Sequence, residues 1–95
     1  MPNTYEKLAT ALAKLPTPRP AADPYLKYLL RLCADYAKRS LDEQQHREAF
    51  YQLWDEYLSF KTIQPPHFEH AGLHKEIEAI FDEMGRGSRF SRTTH

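Results

Sequence analysis

Residues 24–39 read "PYLKYLLRLCADYAKR", and the width of their apolar arc decides the fold. At about 100° per residue, Tyr25, Leu26, Tyr28, Leu29, Leu30, Leu32, Cys33, Ala34, Tyr36 and Ala37 fill well over half of the helix circumference. Lys27, Arg31, Asp35 and Lys38 keep only a narrow polar strip. Such a helix has to be covered on more than one side. It is therefore either the central helix of a domain or half of an interface between two copies. Asp23 followed by Pro24 is a start signal, because the carboxylate caps free amides and proline at the first helical position has no amide to lose.

The rest of the chain agrees with an all-α fold. It has 95 residues, no valine, and isoleucine only at positions 63, 77 and 80. The β-branched types that favour strands are thus scarce, while Ala, Leu, Glu, Lys, Arg and Gln, which lose little rotamer freedom in a helix, fill the middle. A chain of this length makes one domain with a modest core. The expected architecture is a small bundle of about four helices over residues 1–84, with helices at about 4–15, 24–39, 41–61 and 70–84. Residues 85–95 are expected to form a flexible basic tail.

Each helix has its own signals. Asn3 with Glu6 makes a capping box, Tyr5, Leu8, Ala9, Leu12 and Leu15 follow at helical spacing, and Pro16 stops the run. Ser40 with Glu43 has the spacing of a second box and predicts a corner there; one continuous helix over 24–61 is the alternative, since no glycine or proline interrupts it. In the third helix Ala49, Phe50, Leu53, Trp54, Tyr57 and Leu58 form the expected core face, with Glu48, Gln52, Asp55, Glu56 and Ser59 behind it. In the fourth, Leu73, Ile77, Ile80, Phe81 and Met84 form a stripe that Gly85 is expected to end. The prolines at 16, 18, 20 and 24 lack PxxP spacing, so "PTPRPAADP" reads as a stiff spacer. Lone Cys33, on the apolar arc, reads as a small buried hydrophobe. The N-terminal stretch lacks the features of a signal peptide and no apolar run is long enough to span a bilayer, which predicts a cytoplasmic protein.

Catalytic chemistry finds little support. His67, His70 and His74 cluster with Glu69 behind Pro65 and Pro66, and one helical turn between His70 and His74 is a metal-sharing spacing. Ala71 stands where a zinc hydrolase carries its general-base glutamate, so H-A-G-L-H lacks the chemistry of HExxH. The histidines are expected to be helix-start residues bonded to backbone or water, with a metal site the alternative. His46, on the face of Phe50, Leu53 and Tyr57, is expected to be a hydrogen-bonded residue of the core edge. No glycine-rich loop can cradle a phosphate, and adjacent acids such as Asp55 and Glu56 point in different directions on a helix. Neither enzyme activity nor a cofactor is expected.

Charge and aromatic content point to binding instead. The net charge is zero, but residues 1–40 hold seven Lys/Arg against three Asp/Glu, residues 41–84 hold three against ten, and residues 85–95 hold three arginines and no acid. Tyr25, Tyr28 and Tyr51 are rings suited to burying area at low entropic cost, beside Glu48, Asp55, Glu56, Glu76, Asp82 and Glu83. These nine residues are the expected partner-binding set. The expected function is a protein-binding module, an inhibitor or regulator of a partner with a basic surface. Two alternatives stand beside it: self-association through residues 24–39, and a nucleic-acid accessory role through Arg86, Arg89 and Arg92.

Overall fold

The computed structural model describes residues 3–87. Among them it has four α-helices and no strand: α1 (Thr4–Leu12), α2 (Ala22–Lys38), α3 (Glu43–Ile63) and α4 (Ala71–Gly87), with a 3₁₀ turn (Phe68–His70) leading into α4. Each helix packs against two others, α1 and α3 each against α2 and α4, so the four close a ring. Consecutive helices run antiparallel. The start of α1 meets the end of α2, where the Asn3 side-chain amide donates to the Ala37 carbonyl, and the start of α2 meets the end of α3, where the Arg19 backbone amide donates to the Gln64 side chain.

The wide apolar arc of α2 is covered from within. Leu26, Leu29 and Cys33 are buried in the core, and Tyr25, Leu30, Leu32, Tyr36 and Ala37 are half-buried against it, with α1 on one side and α3 on the other. Burial pushes the Cys33 thiol up to about 12, in keeping with a buried hydrophobe. At the centre, Phe81 of α4 sits among three rings of α3, with centroids 6.0 Å from Phe50, 5.0 Å from Trp54 and 5.6 Å from Tyr57. Edge-on and tilted arrangements of this kind are favoured by the ring quadrupoles.

The capping box at Asn3 and Glu6 forms as expected. Several boundaries differ. Helix α1 ends at Leu12, because Leu15 precedes Pro16 and is steered out of the α region; Lys14 and Leu15 close the end with tighter bonds to Ala11 and Leu12, and Leu15 stays buried. Helix α2 begins at Ala22, so Asp23 is no cap. Its carboxylate lies in the first turn, accepting from Thr17 and pairing with Lys27 at 3.1 Å, and these contacts hold it below the usual carboxylate range, Lys27 first. Pro24 is tolerated there because amides of the first turn have no intrahelical acceptor.

Helices two and three are separate. The chain turns extended at Arg39, and the cap of α3 is Asp42 with Gln45, not Ser40 with Glu43. Both pairs have capping-box spacing; half-buried Leu41 then anchors the corner immediately before Asp42. Helix α4 runs through Gly85 to Gly87, because Met84 still belongs to the buried stripe and its packing outweighs glycine's low propensity. Of the expected tail, residues 88–95 lie outside the described residues. Gly72 is in the first turn of α4, with open space where a Cβ would be. Gly72→Ala is therefore expected to stabilise the fold by about 0.5–1 kcal/mol, seen as a higher thermal midpoint; a lower midpoint would show a hidden constraint on that turn.

Candidate protein-binding face

The side of the bundle formed by α2 and α3 collects most of the expected contact residues. Tyr28 is 41% exposed, with its ring edge-on to Tyr25 at 5.9 Å. Tyr25 is half-buried, and its hydroxyl donates across the helix interface to the Glu56 carboxylate. Further along the same helix pair, the Tyr36 hydroxyl donates to Gln52, and the Arg39 guanidinium lies over the Tyr36 ring at 5.7 Å. Burial, and then Glu56, push the Tyr25 hydroxyl above its ordinary range, so it is a neutral donor at physiological pH. Beyond Glu56 on α3 stand exposed Glu48 and Asp55, with Tyr51 three residues after the one and four before the other. Tyr51 is 45% exposed and packs edge-on against buried Phe50.

The acids divide into two groups. Glu76 and Glu83 of α4 pair with Lys14 and Lys7 of α1 at 3.3 Å and 3.0 Å, so much of the charge of that expected face is matched inside the chain. These pairs are about half exposed, and such pairs contribute little to stability. Asp82 is half-buried on the same helix. On the α2–α3 side, Glu56 accepts from a tyrosine and Glu48 from the Gln44 amide, which are neutral donors. The nine expected residues thus divide between helix pairs, with Glu76, Asp82 and Glu83 on α4 and Tyr25, Tyr28, Glu48, Tyr51, Asp55 and Glu56 on α2 and α3.

Two exposed residues were not expected. Leu58, assigned above to the core face, is 41% exposed. At about 100° per residue it lies far round the helix from Leu53 and Phe60, so the spacing already placed it beside Tyr51 and Asp55. Phe68 is 81% exposed on the 3₁₀ turn. The double proline before it marked a loop and was the available signal.

The histidines divide by burial. His46 bonds the Tyr5 hydroxyl at 2.7 Å with the two rings parallel, the core-edge role expected of it, and burial pushes the Tyr5 hydroxyl up to about 12. His74 is the exception to the helix-start expectation: it is buried, with Nδ1 2.7 Å from the Tyr57 hydroxyl. Glu78 stands 3.5 Å from that hydroxyl and 3.1 Å from Lys61. The Tyr57 hydroxyl donates to Glu78 and shares the shorter bond with His74 Nδ1, where the imidazole tautomer sets the direction. Burial, then Lys61, hold His74 below the usual imidazole range. His67 is exposed, its Nδ1 accepting from the Glu69 amide at 3.2 Å, and His70 is half-buried. Among the described residues no three of His, Cys, Asp or Glu converge as metal ligands.

A cleft of about 520 Å³ opens at the end of the bundle that holds His67, His70 and His74, its other walls formed by Pro16, Pro18, Arg19, Phe60, Pro65 and Pro66. A second of about 730 Å³ lies at the opposite end, between Tyr5, Tyr36, Leu41, His46, Phe50 and Met84. Of the arginines expected for nucleic acid, Arg86 falls in the last turn of α4, and Arg89 and Arg92 lie outside the described residues. No described helix is long and apolar enough to cross a membrane. Family models, curated proteins and solved structures give no match to this chain.

Proposed function

We propose that the chain is a protein-binding module whose α2–α3 face takes a partner with a basic surface, as a stoichiometric inhibitor or regulator. The observation that carries this is that α2 and α3 leave Tyr28, Tyr51 and Leu58 exposed while the same two helices carry Glu48, Asp55 and Glu56. Rings and a leucine supply apolar area that the fold itself leaves in water, and the carboxylates supply a field that draws in positive charge. Glu48 and Glu56 contact neutral donors, so their charge is available to an incoming cation in a way that the charge of Glu76 and Glu83 is not. The division of labour is a rate set by the carboxylates and a residence time set by Tyr28 and its neighbours.

Immobilised full-length chain, its Tyr28→Ala variant and its Glu48→Lys/Asp55→Lys variant, each exposed to native lysate, test this. A basic protein held by the first and lost from both variants is the expected result. Capture that is equal on all three, or of acidic proteins only, would contradict it.

A further inference from the structure

Independently of the α2–α3 face, the loop end of the bundle has the form of a self-complementary contact. Phe68 is 81% exposed, the most exposed large apolar side chain among the described residues. It is held rather than loose: Pro65 and Pro66 restrict the backbone before it, the His67 imidazole accepts from the Glu69 amide at 3.2 Å, and the His67 ring lies 4.4 Å from that of Phe68. A side chain fixed in this way loses little entropy when it is buried. Beside it is the cleft of about 520 Å³, whose walls include Pro16, Pro18, Phe60, Pro65 and Pro66. Phe68 is not among the residues lining that cleft. Knob and hole are neighbours on one surface, and the knob stands outside its own hole.

A two-fold axis needs that arrangement, because each copy must offer the same patch and the patch must fit itself. The charges have the same property. Arg19 comes from the α1–α2 loop and Glu69 from the 3₁₀ turn, so the cleft carries one formal charge of each sign besides its histidines. We infer that two copies of this chain pair through this end, Phe68 of each seated in the proline-walled cleft of the other, with Arg19 and Glu69 facing across the axis.

Sedimentation equilibrium of the full chain over a wide concentration range tests the pairing, with Phe68→Asp as the variant. Phe68 makes no core contact, and unchanged circular dichroism verifies that the variant folds. A reversible dimer is expected, with its dissociation constant raised at least about thirtyfold in Phe68→Asp, the size of effect associated with an aromatic hot spot. In a dimer of labelled with unlabelled chains, nuclear Overhauser contacts between the Phe68 ring of one copy and Phe60 or Pro18 of the other are expected. A chain that stays monomeric throughout, a dimer indifferent to Phe68→Asp, or intermolecular contacts that place Phe68 elsewhere would each overturn the pairing.

Discussion

Phe81→Ala is expected to lower the stability of the fold by about 3–5 kcal/mol. The ring is 1% exposed and touches Phe50, Trp54 and Tyr57, so its removal takes away transfer free energy and leaves a void between α3 and α4. Rings of α3 cannot collapse into the space without leaving their rotamers, which is why the upper part of that range applies. A domain of this size has a total stability of about 5–15 kcal/mol, so the variant should melt at least about 12 °C lower or be partly unfolded at room temperature. Thermal denaturation by circular dichroism reads this directly. A shift of only one or two degrees would mean that Phe81 is not packed among those rings.

Tyr57→Phe should give the second largest loss, about 1–3 kcal/mol, although it removes a single oxygen. The hydroxyl is the partner of buried His74 Nδ1 and lies at the edge of the Lys61–Glu78 pair, so the variant leaves a buried imidazole nitrogen without its hydrogen-bond partner. The same cluster makes stability depend on pH. Folded His74 takes up its proton below its ordinary value of 6.5, burial being the first cause and Lys61 the second, with Glu78 opposing and His70 assisting. In the window below pH 6.5 the unfolded chain therefore binds more protons than the folded one. The His74 contribution is complete above that pH and is lost as pH falls through the window. Denaturant titrations of the native chain and His74→Gln at pH 7.5 and 5.5, values chosen to lie about one unit either side of an ordinary imidazole, should show the gap between them narrowing at the lower pH. A gap that is constant or widens on acidification would contradict the assignment.

Local periodicity and composition were enough for the number of helices, their type and most of the core. The arc of α2 and the stripe of Ile77, Ile80, Phe81 and Met84 are written in the 3.6-residue repeat; the stripe is buried, and the arc is buried or half-buried except at Tyr28 and Ala34. What the sequence left open depended on partners remote along the chain. Ser40 and Asp42 carry equivalent cap spacings, and only the packing of the corner between α2 and α3 selects Asp42. His74 is drawn into the core by a hydroxyl 17 positions earlier, and Glu76 and Glu83 are matched by lysines 62 and 76 positions away. No window of local sequence contains those pairs. Leu58 is a different case, since it shares the core face with Tyr57 in the sequence reading although its angle round the helix places it outside.

Glu76 and Glu83 are matched by lysines of α1, whereas Glu48 and Asp55 of α3 stand exposed, and the proposed function rests on that difference. The most direct measurement is the association rate of the full chain with its captured basic partner, followed by stopped flow as salt is raised. Between about 50 and about 500 mM salt the rate should fall by about tenfold or more, as screening removes the steering field of Glu48, Asp55 and Glu56. A rate that does not change with ionic strength would contradict the acidic α2–α3 face as the docking surface.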